Sequence, residues 1–471
     1  MSNTSDSTST ATTTTTQVTR PKILGRGKLL QVLGIWFGIA AAVGNTIAAG
    51  IVRAPGDIAL RLPNVWLFLG VWVVGGMYAL FGASSLAELG AAIPRSGGQY
   101  NFSRRALGDY AGFIVGWSDW LSTAGTNAAV AIVIAEYSGA LFAPLAGKEK
   151  LVAVGILVGF AILQWRGIKW GSGAQLFTAA LKTAAFLVLV IACFVLGGHS
   201  AAGATNGGAS TIALPAGWLL AAGFMLGLQK VIYTVDGWDG IIYFGEEVRN
   251  PGRDIPRAIF GSVFSIMAIY LLLNAAVAYV LPMNEIAGND FALGTAAQRI
   301  FGRYGDPIMR SIMVISLLSC INACQMFCSR ILYSMSCDGL FFRRASVVNK
   351  GGTPVLALFL STVVGSTFII SRKFDQVIDM LAFFFVANYT LSFFSLFWLR
   401  WKEPKMERPY RAWGYPWTTG IALVGSVLFL FGALYADRKN SRWALLLLVL
   451  SYPIFKIMKW VSVRAAEKAA T

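Results

Sequence analysis

A chain of 471 residues, 56% of them hydrophobic and only 13% charged, has too little polar surface to cover a soluble globule of its size. Its apolar residues recur in runs of about 20 or more, enough for ~30 Å of hydrocarbon at the helical rise, and strand-like alternation is absent. The net charge of +17 would suit a nucleic-acid partner, but a basic excess spread over short loops between apolar segments is the ordinary mark of membrane orientation.

Residues 1–20 are rich in Ser and Thr and lack large apolar side chains, so a disordered cytoplasmic tail is expected over 1–28, ahead of a membrane domain over 29–465. The tail has no apolar core of the kind a cleaved signal peptide needs. Membrane segments are predicted at 30–53, 63–91, 108–143, 150–165, 172–197, 216–248, 255–282, 306–338, 353–371, 374–400, 416–436 and 441–463, giving an all-α protein of about 12 transmembrane helices. With the amino terminus inside, 24 Lys and Arg lie on the inner side against 12 on the outer. Both termini are therefore expected in the cytoplasm, with the chain in the cell (inner) membrane. The stretch from Phe291 to Phe301, in an outer loop, suits a short lid helix.

Segment 1 is interrupted by Gly44-Asn45-Thr46-Ile47-Ala48-Ala49-Gly50-Ile51, a stretch of weak helix propensity and little bulk. About half a chain later, Tyr233-Thr234-Val235-Asp236-Gly237-Trp238-Asp239-Gly240 interrupts segment 6 with two glycines and two carboxylates. Non-helical backbone at bilayer depth is tolerated only where protein buries it or it lines a cavity. Two breaks at matching places in two halves point to a transport site, with segments 1–5 (30–197) and 6–10 (216–400) as inverted repeats and 416–463 outside them. The competing reading of the first break is close helix packing through small residues.

Other residues are candidates on weaker grounds. Asp236, a carboxylate at bilayer depth, faces a cavity, pairs with Lys230, or caps a half-helix. Tyr233 suits an aromatic gate and Trp238 a floor, although either ring also suits simple packing. Lys182 lies roughly 15 Å deep in segment 5, too far to snorkel easily. Asn127, Asn322 and Asn388 either line a pocket or join helices. Glu246 and Glu247, near Arg249, Arg253 and Arg257, suggest ion pairs at the inner end of segment 6. All five cysteines (193, 320, 324, 328 and 337) lie in or beside apolar segments. Cys320, Cys324 and Cys328 share a helical face, better read as small hydrophobes than as a soft-metal site. No metal and no cofactor are expected.

With both breaks placed, the sequence resembles the amino acid–polyamine–organocation (APC) superfamily, in particular bacterial amino-acid permeases related to the L-type amino-acid transporters. The resemblance is carried by Val43 to Ile51, where Ala48 and Ala49 replace the family's first Gly and Ser, and by Ala87-Glu88-Leu89-Gly90 through Pro94-Arg95-Ser96-Gly97-Gly98. Further matches are Asp236-Gly237-Trp238, Gly245 to Pro251 with Ile255 to Ala258, Ser329 to Tyr333 with Asp338 to Phe341, Gly352 to Val355, and Arg408 to Arg411 with Gly414-Tyr415-Pro416. It implies a LeuT-type 5+5 fold with discontinuous helices 1 and 6, alternating access, and amino-acid transport. It further implies a substrate site at Thr46, Ile47, Ala48, Ala49, Gly50, Tyr233, Asp236, Gly237 and Trp238. There the cargo carboxylate would meet the amides of Ala48, Ala49 and Gly50, and the ammonium the carbonyls near Thr46 and Tyr233. Lys182 resembles the coupling lysine that fills the place of sodium in sodium-driven relatives, which implies sodium-independent exchange or proton-linked uptake. Lys230 departs from the family pattern.

A membrane enzyme is disfavoured, since the single histidine, His199, is in an outer loop and no nucleophile elbow, P-loop or metal cluster is present. A channel would need a continuous polar lining, and a sensor would bind without counterflow. The expected cargo is a neutral or polar amino acid; the alternative is a cationic amino acid or polyamine held by Asp236 and Asp239. The resemblance would place a cysteine that links a single-span heavy chain in the outer loop between segments 3 and 4; the loop around 143–150 has none, so no disulfide-linked heavy chain is expected.

Overall fold

The computed structural model describes residues 28–48, 50–197, 214, 216–371, 374–436, 446, 449–461 and 464; the expectations for the tail, Ala49 and His199 lie outside the described residues. Among the described residues the protein is helical, with isolated β-bridges and no strands.

Segment 1 is two helices. The first, α1 (Ile35–Thr46), ends where Ile47 leaves helical geometry, and α2 (Gly50–Arg61) departs at 54° to it. The apolar run was expected to end at 53, but α2 continues eight residues further, because Arg53 and Asp57 line an internal cavity instead of marking a loop. Asn64 then caps α3 (Val65–Ala92), its side-chain oxygen accepting the amides of Trp66 and Leu67 at 3.0 and 3.2 Å. A short helix the apolar pattern does not reveal, α4 (Gln99–Leu107), is bounded by Gly98 and Gly108, both at positive φ, and packs Tyr100 and Phe102 inward. The first half continues through α5 (Asp109–Leu141), α6 (Glu149–Trp165) and α7 (Ile168–Leu196).

The second half opens with α8 (Trp218–Thr234), which stops at the expected break. The rest of segment 6 is not α-helix. A turn over 235–239 leads into 3-10 turns at Gly240–Tyr243 and Gly245–Glu247. Glycine permits this crowding: a Cβ on Gly240 would lie 2.9 Å from the Phe327 ring, and one on Gly245 2.7 Å from the Arg95 carbonyl oxygen. After it come α9 (Pro251–Val280), α10 (Ala292–Phe301, a helix where one was expected), α11 (Gly305–Cys337), α12 (Val355–Ser371), α13 (Phe374–Lys402), α14 (Trp417–Ala436) and α15 (449–461).

By length and composition, five helices among the described residues can cross a membrane, or six if the bent pair α1–α2 is one span. The sequence pattern predicts more because it also counts α5, the shorter α6, α8, α12 and α14, and the stretch 441–463, of which 446 and 449–461 are described. Helix α5 is long enough, but it carries Asp109, Asp119 and Glu136 among small polar residues that other helices cover. Trp36, Trp66, Phe177, Val188, Leu219 and Phe431 are among the large apolar side chains left exposed, the pattern of a lipid-facing surface.

Helix α11 packs along α5 at the centre, α9 along α3, and α13 along α5, while α1 sits among α7, α9 and α11, and α2 lies on α8. At the end where α3, α11 and α13 finish, ion pairs close the bundle. Arg330 and Glu247 meet at 3.0 Å, both almost wholly buried. Glu88 takes Arg400 and Arg408, and Asp338 takes Arg95 and Arg104 at 2.9 Å each. This corrects the expected partners of Glu246 and Glu247. The 3-10 turns aim Glu247 inward at Arg330 of α11, and Glu246 lies 4.0 Å from Arg95.

Candidate functional site

The two breaks face each other. A Cβ on Gly50 would lie 3.3 Å from the Thr234 methyl, and one on Gly237 would lie 2.3 Å from the Asn45 amide nitrogen and 3.0 Å from the Thr46 hydroxyl. Gly237 also has φ +102°, a conformation that disfavours any other residue. The Tyr270 hydroxyl, from α9, lies 2.8 Å from the carbonyl oxygen of Thr46 and 3.2 Å from that of Thr234, the last residues of α1 and α8. One side chain thus satisfies the exposed ends of both interrupted helices.

The other free carbonyls of α1 are answered from α7. The fully buried Lys182 ammonium donates to Gly44 and Ile47 at 2.8 Å each and to Val43 at 3.4 Å. The Ser316 hydroxyl also donates to Ile47, at 2.7 Å. The Lys182 side chain thus answers the carbonyls at the end of α1 with donors from a neighbouring helix.

Between the breaks lies a cavity of about 340 Å³, a size suited to a small organic molecule. Of the residues expected at a site, Thr46, Ala48, Gly50, Tyr233, Asp236 and Gly237 line it. Ile47 does not; its side chain is fully buried and its carbonyl faces Lys182. Trp238 borders a smaller adjoining cavity, stacked on Tyr389 with ring centres 5.6 Å apart. In this conformation the Ala48 amide donates to the Thr46 carbonyl at 2.8 Å, so two of the backbone groups expected to hold a ligand are bonded to each other. Lys230 does not pair with Asp236. It reaches Asp57 of α2 at 2.8 Å, at the mouth of the cavity, because it lies more than a helical turn before the break. Asn388 lines the cavity, whereas Asn322 joins helices, its amide donating to Gly171 and Gln175. Asn127 is buried outside the cavity lining.

Sequence reading overlooked part of the wall. Asp119, on α5, lies in the lining with Asp236 and Asp239, and Gln99 from α4 donates to Asp239 at 3.0 Å. The Tyr243 hydroxyl donates to both Asp119 oxygens at 3.1 Å. A carboxylate in the middle of an apolar segment was the available signal for Asp119, the same one that marked Asp236. Cys320 and Cys324 also line the cavity, and the Cys324 thiol donates to Asn45 Oδ1 at 3.0 Å.

A family model described as amino acid permease matches residues 29–453. The chain is 24% identical to the serine/threonine exchanger SteT of Bacillus subtilis (strain 168), over 92% of this chain and 97% of that protein. It is 25% identical to Asc-type amino acid transporter 1 of Mus musculus, over 82% and 73% respectively. It is 26% identical to large neutral amino acids transporter small subunit 2 of Homo sapiens, over 81% and 72%.

Proposed function

We propose sodium-independent secondary transport on one premise: the chain belongs to the amino acid permease family, within the APC superfamily. It is an amino acid transporter and not an enzyme, and a multi-pass membrane protein. The finer reading is a LeuT-type 5+5 inverted repeat of about 12 crossings in the cell membrane, both termini cytoplasmic, working by exchange or proton linkage without a disulfide-linked heavy chain.

The observation that carries this reading is that α1 and α8 stop hydrogen-bonding to themselves at one shared level, on either side of a cavity. Cargo sits there against Thr46, Ala48, Gly50, Tyr233, Asp236 and Gly237, and its contact with the Ala48 amide replaces the bond that amide now makes to Thr46. Movement of α2 against α8 opens one side, and parting of the ion pairs around Glu88, Glu247 and Asp338 opens the other. Lys182 supports independence from sodium, because a fixed ammonium among those carbonyls repels a second cation. The relatives' names support a neutral or polar amino acid as cargo; the carboxylates in the cavity support one that carries an added positive charge.

The test is uptake by the purified protein, alone in liposomes, with sodium replaced by choline. Unchanged uptake is expected. A collapse overturns the role given to Lys182, and activity only after a second protein is added overturns the solitary chain.

A further inference from the structure

Asp119, Asp236 and Asp239 enter the cavity wall from two elements, and among the described residues none of them is in an ion pair. Their partners are neutral donors: the Tyr243 and Thr123 hydroxyls for Asp119, and the Gln99 amide for Asp239. Asp119 and Asp239 are each only 3% exposed. One oxygen of Asp236 is buried with no partner at all. Two more buried groups in the same lining are unanswered, the hydroxyl of Thr46 and the side-chain nitrogen of Asn388, in residues 4% and 3% exposed. The lining's cations, Arg53 and Lys230, belong to the α2 and α8 walls toward the mouth, and Lys230 is held by Asp57.

Leaving carboxylates out of water without a counter-charge is costly, and a neutral amino acid brings only its α-ammonium, whose charge its own carboxylate cancels and which the carbonyls near Thr46 and Tyr233 would take. An ammonium supplies three donors that fan out from one atom, which suits oxygens arriving from different directions. Phe327 and Tyr389 also line the space, their rings stacked on Tyr243 and on Trp238, and offer an aliphatic chain an apolar wall.

We infer that this cavity selects a cargo carrying a primary ammonium at the end of an aliphatic chain, received by Asp236 with Asp119 and Asp239. The inference rests on the proposal that the cavity is the transport site. Two sources share this chemistry, a cationic amino acid and a diamine.

Counterflow into liposomes separates the outcomes, using lysine, norleucine, serine and putrescine with the full chain. Norleucine has lysine's side-chain length without the terminal charge. Lysine or putrescine is expected to exceed norleucine by at least about tenfold. Asp236→Asn should lower that ratio by at least about tenfold, and Asp239→Asn reads the same ratio should the first variant fail to fold. Lysine without putrescine names the amino acid; putrescine without lysine names the diamine. If norleucine and serine exchange while both cations are inert, the inference falls and the transport site stands. If none of the four exchanges, the reading of the cavity as the transport site falls with it.

Discussion

Gly237 shows how one residue sets the distance between two helix ends. Its φ of +102° strains any side chain there, and a methyl group would have to push the Asn45 side chain aside. Gly237→Ala therefore costs roughly 1–3 kcal/mol in backbone strain and separates the breaks. The expected result is a protein that still extracts as a monodisperse species but loses most of its counterflow; wild-type counterflow would show that the breaks need not touch. Gly237 was legible in the sequence because a glycine between two acids in an apolar run has few other uses. Asp119 was not picked out although it carried the same signal as Asp236, because α5 carries polar residues throughout and has no glycine-marked break beside it. The pairing of Lys230 with Asp236, one of the readings the sequence left open, is not the one formed, for a related reason. Asp236 is near in sequence, while Asp57 is near only once α2 lies against α8.

The elements themselves were legible where composition changes sharply. Helices α3, α7, α9, α11 and α12 begin and end within a few residues of the apolar runs that predict them. The exceptions are α2 and α4, whose charged residues interrupt the apolar pattern, and the 3-10 turns after the second break, which tertiary crowding around glycines imposes. Those turns have a stability consequence. They deliver Glu247 to Arg330 in a buried pair that also places the guanidinium over the Phe244 ring. Arg330→Met strands a carboxylate and should cost about 3–5 kcal/mol, seen as a lower midpoint in detergent thermal unfolding. Adding Glu247→Gln should restore much of it; failure of the double variant to recover would mean that Arg330 acts through packing alone.

At the scale of the molecule, charge is arranged against the direction its total suggests. The chain as a whole carries +17, yet the cavity gathers acids. Between shell and interior sits the Lys230–Asp57 contact, a neutral collar of partly exposed groups that by itself contributes little stability. A cation approaching from solution meets the Lys230 ammonium, offset by Asp57, before the acids behind it, which it reaches only after shedding its water. Buried charges are screened much less than exposed ones, so added salt should weaken the outer barrier and spare the inner well. The apparent Km for a cationic cargo should then hold steady or fall between about 0.05 and 0.3 M ionic strength; a steep rise would place the attraction on the surface instead. A lysine at the mouth in front of a group of acids makes entry itself a filter that acts before any recognition at the breaks.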